Sequence, residues 1–174
     1  MPIVPDDKNW TWVLERPCAE CGFDVDTYQR QRLGDTVLTI AARWVPVLRQ
    51  ANVAVRPNDS TWSPLEYGAH VRDVLRLYDL RLARMLNEDG PQYANWDQDI
   101  TAVEDRYNEQ DPTIVAMQLI GAAEVLAARF RAVAESEWSR TGFRSDGAAF
   151  TVESLGLYMV HDPLHHLHDV LAHS

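Results

Sequence analysis

Tyr158-Met159-Val160-His161-Asp162-Pro163-Leu164-His165-His166-Leu167-His168 lies within the chain's last helical segment, Thr151 to Ser174. Five of the six histidines fall between His161 and His173. Residues three or four apart share one face of an α-helix, so His161, His165 and His168 line up on one stripe, with His166 and His173 pointing away from it. Imidazoles four positions apart can both reach a divalent ion about 2 Å away, provided that a third ligand arrives from elsewhere in the fold.

The sixth histidine is the natural third ligand. His70 stands in Trp62-Ser63-Pro64-Leu65-Glu66-Tyr67-Gly68-Ala69-His70-Val71-Arg72-Asp73, at the front of another helix. Ser63 at the cap, Pro64 at the first helical position and Glu66 at the third form a capping box, and the apolar spacing from Leu65 to Leu86 carries the helix to about Asn87. Working outward, Asp24 or Asp26 can cap a helix running to about Gln50, with Val37, Ile40, Ala41, Trp44 and Leu48 on one face and a kink at Pro46. Asp111-Pro112 repeats the cap-plus-proline start, and that helix is expected to run to about Arg140, with Gly142 placed to end it.

Residues 88 to 111 form a long polar connection holding Trp96, with room for a short helix from about Asp97 to Asn108. Phe143 to Phe150 reads as a loop, and Thr151 caps the last helix. Residues 1 to 24, punctuated by Pro2, Pro5 and Pro17, read as an irregular arm whose Trp10, Trp12, Val13 and Leu14 pack it along the domain. No strand pattern of comparable strength, internal repeat or low-complexity segment is present. The expectation is a single all-α domain over residues 1–174, a four-helix bundle with that arm and a long connection between its second and third helices.

With 16 basic and 26 acidic residues the formal net charge is −10, which argues against nucleic-acid or anionic-membrane partners. No basic start precedes an apolar run, and no segment approaches the ~20 apolar residues of a membrane helix, so a soluble, cytoplasmic protein is expected. Cys18-Ala19-Glu20-Cys21 holds the only two cysteines, half of what a zinc ribbon needs. They read as reduced thiols in a turn ending at Gly22; a site shared with histidines has only composition in its favour.

Trp-Ser-x-x-Glu-Tyr-x-x-His-Val-x-Asp opening the second helix, with His-Asp-x-x-His-His-Leu in the last, resembles the DinB-like superfamily, which includes YfiT-like proteins and transferases using bacillithiol or mycothiol. The resemblance covers about residues 26 to 172. It implies that His70, His161 and His165 hold one divalent metal, zinc or nickel, in an open site. The arginine-rich, lysine-poor, tryptophan-rich composition looks actinobacterial, which implies mycothiol as the thiol. Pro163 departs from expectation: it deletes a backbone hydrogen bond to Met159, and if the resulting bend turns His161 away, His165 with His168 becomes the better pair.

Three protein ligands leave a coordination position open, which suits catalysis rather than structure. The expected reaction is attack of a metal-activated low-molecular-weight thiol on an electrophile. Glu66 and Asp73 can orient His70 or act as bases, with a capping role and an Arg76 ion pair as their plainer alternatives; Asp162 is a further candidate base and Asp169 flanks the same histidines. Trp96 can close over the open position, and Arg144 can meet an anionic substrate or thiol carboxylate. Two other readings stay open: a metal-dependent hydrolase using metal-bound hydroxide, with Glu66 or Asp162 as base, and a non-catalytic metal-binding stress protein. A homodimer through helix faces is compatible with each.

Overall fold

The computed structural model describes residue 3 and residues 9–172; Pro2, Pro5 and His173 lie outside the described residues. Four long helices form the bundle: α1 (Leu33–Leu48), α2 (Pro64–Asn87), α4 (Pro112–Arg131) and α5 (Val152–Ala172). A short helix, α3 (Gln98–Glu104), and three short strands, β1 (Gln92–Tyr93), β2 (Thr141–Arg144) and β3 (Ala149–Thr151), complete it. α4 packs along α1 and α2, while α5 closes the bundle against the same two helices.

The start of α2 follows its sequence. Glu66 N donates to Ser63 Oγ at 3.2 Å and Ser63 N donates to Glu66 Oε2 at 2.8 Å, so the reciprocal cap is complete. The first helix begins later than expected. Asp24 does cap, accepting from Asp26 N at 3.1 Å, but the turn it caps is a 3-10 turn that ends at Tyr28, where the backbone is extended. Pro46 falls in the last turn of α1, and the helix stops two residues later, at Leu48.

α4 ends at Arg131, well before Arg140, and Gly142 lies inside β2 instead of capping a helix. Its ideal Cβ would stand 2.7 Å from Met85 Cγ, so the strand passes too close to α2 for a side chain. The stretch expected as a loop, 143–150, is largely the β2–β3 hairpin, with Gly147 at φ +94° in its turn. β1 adds to β2 in parallel, in the order β1-β2-β3. Strands of two to four residues are too short to show alternation, which is why they leave no trace in the pattern.

α4 is also 20 residues long with a mean hydropathy of 1.5, long and apolar enough by composition to cross a membrane, contrary to the expectation that no segment approaches this. In the fold it is a bundle helix, with Val115, Leu119, Ala123, Leu126, Ala127 and Phe130 buried.

α5 runs unbroken through Pro163. Thr151 Oγ1 accepts from Ser154 N at 3.0 Å at its start. The indole of Trp44 on α1 donates to the Pro163 carbonyl at 3.2 Å, tying α5 to α1 beside the proline. The arm packs on α5: Val13, Cys18 and Phe23 are all buried, and a 3-10 turn at Trp10–Leu14 lies along the helix.

Candidate metal centre

Consecutive positions on a helix differ by about 100°, so the 161/165 pair and the 162/166 pair of α5 face different neighbours. This rotation divides the histidine stripe. Asp162 and His166 turn toward α2 and meet His70; His161 and His165 turn toward the N-terminal arm and meet Cys18 and Cys21. Among the described residues, the grouping of His70 with His161 and His165 is therefore corrected: His70 shares its group with the other two residues of α5.

In the first group the ligand atoms of His70, Asp162 and His166 all lie within 4.8 Å of one another. His70 is fully buried. Its Nε2 stands 3.3 Å from Asp162 Oδ1, yet both ring nitrogens of His70 and Asp162 Oδ1 are buried without a hydrogen bond. Buried polar atoms left in this state are costly, and a cation between His70 Nε2 and Asp162 Oδ1 would satisfy those two. His166 Nε2 lies 3.9 Å from the same carboxylate oxygen, while its Nδ1 faces Asp169 Oδ2 at 3.3 Å. Asp169 thus holds the imidazole so that Nε2 points inward, the usual outer-carboxylate arrangement around a metal-binding histidine. Burial would raise the Asp162 carboxyl, but the adjacent His70 and His166 outweigh it and hold it at about 2.

Two histidines and one carboxylate fit a divalent ion with open positions. Asp162 and His166 line a cleft of about 450 Å³, with the fully buried His70 behind them; His161 and His165 reach the wall of the same cleft. The Trp96 ring stacks on His70 at 5.3 Å between centroids and 2° between planes, and its Nε1 donates to Thr101 Oγ1 at 2.8 Å. Arg144 and Tyr158 also line the cleft. The Arg144 guanidinium is held by Asp146 at 2.8 Å and sits 5.8 Å from the Tyr158 ring centroid. Trp96 and Arg144 accordingly lie in the cleft beside the first group.

The candidate bases are placed elsewhere or otherwise. Glu66 is buried, bound by the Arg56 guanidinium as well as by Ser63 N, and belongs to the helix cap. Asp73 is held by Arg72 at 2.7 Å and Arg76 at 3.1 Å and accepts from Tyr107 Oη at 2.7 Å, so it does not orient His70. Asp162 stands among the ligand atoms, which removes it as a free base. His168 is exposed and belongs to neither group.

In the second group the ligand atoms of Cys18, Cys21, His161 and His165 also lie within 4.8 Å of one another. Burial, reinforced by His165, lowers His161 to about 4, and burial lowers His165 as well, so both rings are neutral at pH 7. Burial with Cys18 alongside pushes the Cys21 thiol up to about 11. The sequence reading raised a cysteine–histidine site on composition alone without naming its histidines, and it missed the place of His166. For His166 a signal existed, since it stands four residues after Asp162; for the cysteines, nothing in the sequence tells which part of the fold the arm reaches.

The fold and this double arrangement of ligands define a helical-bundle protein with a site built from α2 and α5. The chain belongs to the DinB superfamily, whose sequence model matches residues 36–170. Among solved structures it is similar to YfiT from Bacillus subtilis, described as a probable metal-dependent hydrolase with an unusual four-helix bundle topology. That likeness has a TM-score of 0.73 at 19% identity and covers 84% of this chain and 86% of the other, and it is a likeness of fold. No curated protein matches the chain.

Proposed function

We propose that this protein is a divalent-metal-dependent enzyme that transfers a low-molecular-weight thiol of the mycothiol or bacillithiol kind to an electrophile. The observation that carries the reading is the contact of His70 Nε2 with Asp162 Oδ1, both buried without a hydrogen bond, beside His166, with Asp162 and His166 lining a cleft of about 450 Å³. The metal, zinc or nickel, would supply Lewis-acid activation of the thiol at neutral pH. His70 and His166 would hold it from two helices, Asp162 would offset its charge, and Asp169 would keep the His166 ring turned inward. Trp96 covers His70 and keeps water from that side; Arg144 and Tyr158 offer a cationic and a hydroxyl contact to a carboxylate-bearing reactant.

YfiT's description makes hydrolysis the alternative. Hydrolysis asks for a base beside the attacking water, and the two carboxylates suggested for it are engaged, Glu66 by Arg56 and the helix cap, Asp162 by His70 and His166. A thiol is acidic enough to be deprotonated on binding without such a base. The test is to incubate protein of known zinc and nickel content with small thiols and an electrophile, and to follow thioether formation in the parent and in His70→Ala and His166→Ala. Metal-dependent, thiol-dependent product lost in both variants supports the transferase; thiol-independent ester or amide cleavage lost in the same variants would establish the hydrolase instead.

A further inference from the structure

We propose that Cys18, Cys21, His161 and His165 form a second metal site, a closed Cys2His2 zinc site that fastens the N-terminal arm to α5. Cys18 Sγ lies 3.7 Å from His165 Nδ1 across the arm–helix boundary. A tetrahedral zinc with roughly 2.3 Å bonds to sulfur and 2.0 Å bonds to nitrogen has sulfur–nitrogen edges of roughly 3.5 Å, close to that separation. The remaining ligand atoms lie within 4.8 Å, so small side-chain rotations complete the tetrahedron.

Each half of the site is shaped for the purpose by its own backbone. On the arm, Cys18 N donates to Phe23 O at 2.8 Å and Gly22 N to Cys18 O at 2.9 Å, and Gly22 takes φ +74°; this tight reversal turns the two cysteines of Cys-x-x-Cys to one side. On α5, His161 and His165 are one turn apart. Both cysteines are free thiols.

The observation that asks for a ligand is His161. The residue is 4% exposed, and its Nε2 is buried with no hydrogen-bond partner. Trp10 packs on both imidazoles, at 5.2 Å from His161 and 4.9 Å from His165, and Phe23 meets His161 edge-on at 5.3 Å, so the two rings are only slightly exposed although they reach the cleft wall. His165 Nε2 faces Glu20 Oε2 at 3.4 Å and Asp169 Oδ1 at 3.8 Å, which places its proton on Nε2 and leaves Nδ1 to face Cys18.

Two thiols and two imidazoles suit zinc over harder cations, and four protein ligands leave no open position, so the site is structural where the His70 group is open. Both cysteines precede residue 36, where the match to the superfamily begins, while His161 and His165 lie within it. On binding, the two thiols release their protons to solvent. Because 161 and 165 alternate with 162 and 166 on one helix, clamping the first pair to the arm fixes the rotation of α5 that presents the second pair to His70.

The test uses the reduced full-length protein loaded with cobalt(II) in place of zinc. A thiolate-to-cobalt absorption band together with tetrahedral visible bands is expected in the parent, lost in Cys21→Ser and kept in His166→Ala, and metal analysis of the zinc form should find one equivalent fewer in Cys21→Ser. A parent without the thiolate band, or a band that survives Cys21→Ser, would overturn the proposal. If Cys21→Ser does not fold, the parent spectrum decides alone. The His70 group carries no sulfur, so failure of the enzyme reading would leave this band untouched.

Discussion

His70 Nε2 and Asp162 Oδ1 meet at 3.3 Å between α2 and α5, both buried and neither making a hydrogen bond. Two helices bring a carboxylate and an imidazole into contact without giving them a bond of their own, a cost that the fold bears where a cation can offset it.

Removing a member of this pair should separate metal binding from folding. Asp162→Asn keeps the shape and removes the charge. Metal affinity measured by competition with a chelator should fall at least about 100-fold, more than the 10–100-fold typical of outer-shell partners, while the helical circular dichroism stays unchanged.

Asp169 acts on the metal through His166. Asp169→Asn should weaken metal affinity about 10-fold to 100-fold, less than loss of His166 itself, and the same chelator competition distinguishes the two. Equal losses would mean that Asp169 is more than an orienting group.

The Trp96 ring lies flat on His70. Trp96→Ala should leave metal content unchanged and raise KM for the electrophile or thiol while opening the cleft to water. Steady-state kinetics beside elemental analysis would show the split.

Glu66 should behave as a structural acid. Burial raises its pKa, but the Arg56 guanidinium and the bonds from Ser63 outweigh burial and hold it below its ordinary value. A folded-state pKa below the unfolded one contributes stability that is fully present above pH ~4.5 and is lost as pH falls through the folded value. Glu66→Gln should flatten that acid limb and cost about 2 kcal/mol at pH 7, a fall in Tm of roughly 4–8 °C in thermal melts.

Gly156 on α5 lies against side chains of both α1 and α4. A Cβ there would stand 2.6 Å from Leu33 Cδ1 and 2.9 Å from Phe130 Cε1. Gly156→Ala should destabilise by about 1–3 kcal/mol in urea unfolding, although alanine is the better helix former, because overpacking outweighs propensity.

The sequence by itself determined the helical class and the best-marked helix ends. The Ser63-Pro64-x-Glu66 box and the Asp111-Pro112 start act within a few residues, so local chemistry alone fixes them. It also marked the two helix segments that carry the candidate ligands, His70 on one and the histidine run on the other. Tertiary structure decided what local pattern leaves free. Strands of two to four residues exist only because β1 and the β2–β3 hairpin find one another across the chain. The first helix gave way to 3-10 turns before Leu33, where the extended backbone at Tyr28 and Gln29 breaks the ladder. The division of the histidines was likewise a matter of rotation. A step of one residue turns a side chain by about 100°, and only the packing of α5 between α2 and the arm determines that Asp162 and His166 face His70 while His161 and His165 face Cys18 and Cys21.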